Sequence, residues 1–121
     1  MPTNDMFQSA VRPDGDLAGV FEYDEDTGYF YLYETKGNEG RKIVSAIQVI
    51  VGSPDFEEGD VTILWDVSEV MVGLFIKGQL WAVFDAKTRE KYGGNYVANM
   101  KPLIPERVTR AFELIKRPAT H

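Results

Sequence analysis

Hydrophobic residues crowd most densely between Val70 and Asp85, where two β-rich runs flank Lys77-Gly78. Apolar runs either side of a two-residue break containing glycine predict a β-hairpin. Gly78 is free to take the positive φ that such a turn needs. With Lys77-Gly78 as the loop, Ile76 faces Gln79, Leu74 faces Trp81 and Val72 faces Val83. On the other side Phe75 opposes Leu80, Gly73 opposes Ala82 and Met71 opposes Phe84. Both sides are apolar, so this ribbon is expected at the middle of the core, covered twice. Gly73 leaves a shallow spot where a helix or another backbone can come close.

Upstream, Leu17–Tyr23 and Tyr29–Thr35 form a second pair of runs around Asp24-Glu25-Asp26-Thr27-Gly28. This predicts a hairpin with a longer loop in which Gly28 takes the left-handed position. Pairing Tyr23 with Tyr29 puts Phe21, Tyr23, Tyr29, Tyr31 and Tyr33 on one face. Ala18, Val20, Glu22, Phe30, Leu32 and Glu34 then share the other. Lys42–Val51 is rich in β-branched residues, which favours a strand. The same stretch offers Ile43, Ala46, Ile47 and Ile50 at helical spacing, so a helix stays open. Val61–Trp65 alternates as a strand does, and Ile104–Lys116 carries the helical stripe Val108, Ala111, Phe112, Ile115. Pro105 and Glu106 suit the first turn of that helix, Lys116 and Arg117 its end, and Pro118 stops it.

The first 16 residues, punctuated by Pro2, Pro13 and Asp14-Gly15-Asp16, read as a flexible N-terminal arm before a single domain spanning 17–117. The expected architecture is α+β: a mostly antiparallel sheet of about 5–6 strands with the C-terminal helix packed on one face.

Composition narrows the chemistry. The 121 residues include no cysteine and one histidine, His121. Disulfides, thiolate nucleophiles and cysteine metal sites are excluded, and a histidine triad or histidine metal site has no residues to build it. Met1–Asp5 carries no basic region followed by an apolar run, so no signal peptide is expected. No apolar stretch approaches the ~20 residues of a membrane span, which makes the cytoplasm the expected compartment. A net charge of −6 argues against nucleic acid and favours a basic partner.

Four features remain as candidate chemistry. Asp24, Asp26 and Gly28 echo part of a calcium loop, but strand residues follow where further ligands belong, so they read as turn acids. Asp55, Glu57, Glu58 and Asp60 form an acidic loop without the apolar setting that splits paired carboxylates into acid and base. No metal or cofactor is expected. Lys91-Tyr92-Gly93-Gly94-Asn95-Tyr96 is the most individual stretch. It reads either as a tight turn between aromatic anchors or as a small-ligand site, with Gly93 and Gly94 opening backbone N–H groups to an anion. The tyrosine face (Tyr23, Tyr29, Tyr31, Tyr33) is either core packing with hydroxyls at the rim or a protein-binding surface. One helix cannot cover every apolar face, so a second copy of the chain is another candidate cover.

The run Val72-Gly73-Leu74-Phe75-Ile76, then Gln79–Asp85 and Lys91–Tyr96, resembles a family of small uncharacterised bacterial proteins of unknown function, over residues from Val20 to Phe112. The resemblance implies a bacterial cytosolic origin and no mechanism. In size and acidity the chain is also similar to immunity proteins that neutralise basic toxins, by analogy alone. The expectation is therefore a non-enzymatic protein-binding domain, immunity- or regulator-like. The alternative is a small-ligand binder or minor enzyme using the loop at 89–96 with tyrosine hydroxyls.

Overall fold

A computed structural model describes residues 5–36 and 42–113. In chain order the elements are β1 (Met6–Val11), β2 (Leu17–Asp24), β3 (Thr27–Glu34), β4 (Lys42–Val51), β5 (Val61–Trp65), β6 (Met71–Ile76), β7 (Gln79–Asp85), β8 (Lys91–Gly93) and α1 (Glu106–Glu113). The antiparallel strands and C-terminal helix are as expected, but among the described residues the strands number eight and form two four-stranded sheets, β1-β2-β3-β4 and β5-β6-β7-β8.

Two sheets replace one because both hairpins are apolar on a full face, and each buries it against the other. Phe21, Phe30 and Leu32 from the first sheet meet Val72, Leu74, Ala82 and Phe84 from the second. Phe30 and Phe84 pack at a centroid distance of 5.1 Å. At Gly19 the sheets come so close that an added Cβ would lie 2.6 Å from Val72. The outer face of the second sheet carries Phe75, Leu80 and Val83, and α1 covers it with Val108 and Phe112. Gly73 is the shallow spot expected: an added Cβ would sit 2.9 Å from the Phe112 ring.

The Lys77-Gly78 turn is present, with φ of 53° and 81°. Ile76 faces Gln79 and Phe75 faces Leu80 as expected. Beyond them the register shifts, because Trp81 is an extra residue: Leu74 faces Ala82, Gly73 faces Val83, Val72 faces Phe84 and Met71 faces Asp85. Such a bulge re-aims one side chain while the alternation of its neighbours resumes.

The first hairpin also differs. Its loop is Glu25-Asp26, both at positive φ, so Tyr23 pairs with Gly28 and Glu22 with Tyr29. A two-residue turn with both residues left-handed matches the twist of the strands better than a longer loop does. Gly28 is required for packing instead, since an added Cβ would lie 2.9 Å from Ile50 and 3.2 Å from Phe21. The one-residue slip exchanges faces. Phe21, Tyr23, Phe30 and Leu32 point into the sandwich, and Tyr29, Tyr31 and Tyr33 point out with Ala18, Val20 and Glu22.

Three further expectations are settled. Lys42–Val51 is a strand, not a helix. Residues 6–11 of the stretch read as an arm are a strand paired with β2 along its length, because Met6 is buried and Ala10 packs on the core. Lys91–Gly93, read as loop, pairs with β7 as a short strand. The expected helix end at 116–118 lies outside the described residues.

The free edges of the sheets meet. Trp65 donates its indole N–H to the Ala10 carbonyl at 2.9 Å, joining β5 to β1, and Arg12 stacks over that ring at 5.3 Å. At the other side Asn95 and Tyr96 donate backbone N–H groups to Gln48 and Val49 of β4. Closed edges leave faces and clefts as the surfaces available for recognition.

Candidate functional site

The stretch at 89–96 bridges the two sheets, and its glycines serve that bridge. Gly93 and Gly94 have φ of 84° and 103°. The Gly94 N–H donates to Trp81 O at 2.8 Å, and the next two N–H groups go to β4. The donors that an anion would need at 94–96 are therefore already used. Lys91 donates its ammonium to the Ala46 carbonyl at 3.0 Å. The Tyr92 hydroxyl donates to Glu90 at 2.7 Å and accepts from Arg107 at 3.2 Å. Of the six residues singled out, Lys91 and Tyr92 are tied into neighbouring structure, and Gly93 to Tyr96 line clefts.

Those clefts gather around Trp81, which the bulge in β7 turns toward Tyr96. The two rings meet edge-on at 4.8 Å, and Phe56 meets Tyr96 edge-on at 5.0 Å. The Tyr96 hydroxyl donates to Asp55 at 2.6 Å, and Asp55 also accepts from Lys77 at 3.3 Å. Burial, with the hydrogen bond to Asp55, pushes the Tyr96 phenol up to about 12. The same hydrogen bond, helped by Lys77, holds the Asp55 carboxyl below its usual range. A polar cleft of about 290 Å³ is lined by Asp55, Lys77, Gln79, Trp81, Tyr96 and Lys101. A second of about 290 Å³, mostly apolar, is lined by Trp81, Gly93, Gly94, Val97, Lys101 and Leu103. Trp81 and Lys101 were not among the residues the sequence nominated, and Asp55, named only within the acidic loop, was not joined to Tyr96, since nothing local marks a bulge or joins position 55 to 96.

The second surface is the outward face of the first sheet. Register and pleat place Phe7 and Val11 of β1, Ala18, Val20 and Glu22 of β2, Tyr29, Tyr31 and Tyr33 of β3, and Ile43 and Ala46 of β4 on it. Tyr29 and Tyr31 stack at 5.8 Å and are half-buried, while Phe7, Val11 and Ile43 are 55%, 56% and 50% exposed. Burial, with Glu22 and Asp24 nearby, raises the Tyr31 phenol above its ordinary value. Tyr23 is absent from this face: it is buried, and its hydroxyl donates to the Gly52 carbonyl at 2.9 Å. Among the described residues no second layer lies over it, because the helix is committed to the other sheet.

A family model described as an uncharacterized protein conserved in bacteria, DUF2251, matches residues 1–108. The chain belongs to this family. The match takes in both sheets and the first turn of α1, so the clefts around Trp81 and the tyrosine face of this DUF2251 protein both lie inside it. No curated protein and no solved structure matches the chain. No helix among the described residues is long and apolar enough to cross a membrane.

Proposed function

We propose that this DUF2251 protein is a non-enzymatic binding domain of the bacterial cytosol whose tyrosine face docks a basic protein segment. The observation that carries the reading is charge on an uncovered face. The outward positions hold Tyr29, Tyr31 and Tyr33 beside Glu22 and Asp24, with no lysine or arginine at the described outward strand positions. Tyrosine offers broad contact at little entropic cost, and its ring and neighbouring carboxylates both attract cations. A second copy would set acid rim against acid rim, which charge complementarity disfavours. Four strands at ~4.8 Å spacing and about eight residues at ~3.3 Å give a footprint of about 500 Å² per partner. That is below the ~800 Å² per partner of a standard interface, so the complex belongs to the transient, electrostatically steered class.

A photo-crosslinking residue at position 31, introduced in a bacterial host, tests this. The expected product is a basic protein joined to the chain, lost on Glu22→Lys with Asp24→Lys and weakened by added salt, while thermal stability is unchanged. A crosslinked homodimer, or capture indifferent to the charge reversal, refutes it.

A further inference from the structure

We infer that the apolar cleft beside Trp81 is a small-molecule site for a planar aromatic carboxylate, with Lys101 as its counter-ion. This site is separate from the tyrosine face and does not rest on that reading.

Three features converge on it. First, part of the wall carries no side chain. Gly93 and Gly94 line it with backbone alone, and both are held to glycine by the protein's own packing, where an added Cβ would lie 2.2 Å from Trp81 O or 2.7 Å from Ile47. Trp81, 3% exposed, closes the floor, and Val97 and Leu103, 54% and 88% exposed, stand at the rim. The Gly93-Gly94 backbone beside the indole accepts a ring lying flat, with Asn95 and Met100 also lining the cleft. Exposed apolar side chains around a concave apolar floor are the usual composition of a ligand cleft.

Second, Lys101 is the only lysine, among the described residues, that lines both the apolar and the polar cleft. It forms no ion pair with any described carboxylate. Asp55, the acid in the polar cleft, is already held by the Tyr96 hydroxyl and by Lys77. An entering anion therefore meets an uncommitted cation, whereas an entering cation would have to displace an existing hydrogen bond.

Third, the surrounding backbone is unusual. Gly93, Gly94, Asn95 and Asn99 all have positive φ within seven residues, and Trp81 itself is the extra residue of a bulge. Bulges and left-handed non-glycine residues concentrate where a fold shapes a site. The cleft, at about 290 Å³, suits one or two fused rings rather than a nucleotide.

The test is an NMR titration of the intact chain with 2-naphthoate, and with 2-naphthylmethylamine as a cation of matched shape. Naphthoate is expected to shift the Gly93 and Gly94 amides and the Trp81 indole N–H saturably, leaving the Trp65 indole unmoved. The amine is expected to shift none of them. Lys101→Ala should weaken naphthoate about tenfold or more, the scale of one charge-assisted hydrogen bond, and Lys101→Arg should keep it. Lys101 is exposed, so neither variant threatens the fold. Failure to saturate at millimolar naphthoate, equal shifts with the amine, shifts centred on Tyr31, or indifference to Lys101→Ala would each overturn the assignment.

Discussion

The glycines separate two costs that are usually confounded, backbone strain and lack of room. Gly78 has φ of 81° and nothing within 4 Å of an added Cβ, so Gly78→Ala tests strain alone. A left-handed L-residue costs about 1–2 kcal/mol there. At Gly19 the φ is unremarkable, but an added Cβ would lie 2.6 Å from Val72, 3.1 Å from Ile63 and 3.2 Å from the Phe30 ring. Gly19→Ala must push the two sheets apart, an overpacking cost of about 1–3 kcal/mol. Gly93 combines both: φ of 84° and an added Cβ at 2.2 Å from a backbone carbonyl, which cannot rotate away as a side chain can. Gly93→Ala is therefore expected to cost about 2–5 kcal/mol, the two penalties together, and more than either alone. That is a large fraction of a stability of roughly 5–15 kcal/mol. Urea unfolding at constant m-value measures all three. A Gly93→Ala variant no less stable than Gly78→Ala would refute the claim that β8 is pressed onto the Trp81 carbonyl.

Two further outcomes follow from the core and from Tyr96. Phe84→Ala removes the ring that meets Phe30 at 5.1 Å and should cost about 3–5 kcal/mol by urea unfolding. A loss under about 1 kcal/mol would mean that the sheets do not share that contact. The Tyr96 phenol is raised from 10.0 to about 12 in the folded chain, so the unfolded chain loses this proton first as pH rises. Stability should fall between pH 10 and about 12, and Tyr96→Phe should remove that part of the fall, read as urea midpoints of both proteins across the range. Parallel pH curves for wild type and variant would show that burial and the Asp55 hydrogen bond do not raise the Tyr96 phenol.

Much of the fold is written locally. The Lys77-Gly78 turn, the strands either side of it and the amphipathic stripe of Val108, Ala111 and Phe112 all follow from periods of two and 3.6 and from one glycine at positive φ. Gly73 under the Phe112 ring was legible for the same reason: a residue without a side chain in an apolar ribbon invites a neighbour. Register was not. The Glu25-Asp26 turn shares its neighbourhood with Gly28, and sequence favours the glycine for the left-handed position although packing claims it. The strand β1 was hidden because only Met6 and Ala10 of it touch the core, too few to set an alternation against Pro2 and Pro13.

The sequence by itself determined which chemistries are closed to this chain, since no thiol and a single histidine leave no nucleophile–base pair of those types, and which segments must be covered on both sides. Only the tertiary structure decided which tyrosines face outward and that Trp81 meets Tyr96. Both depend on single-residue shifts in pairing between strands, and a strand's pattern of twos reads almost equally well in either register until the opposing sheet selects one. The Asp55–Tyr96 hydrogen bond spans 41 positions for the same reason: two sheets had to stack before those groups became neighbours.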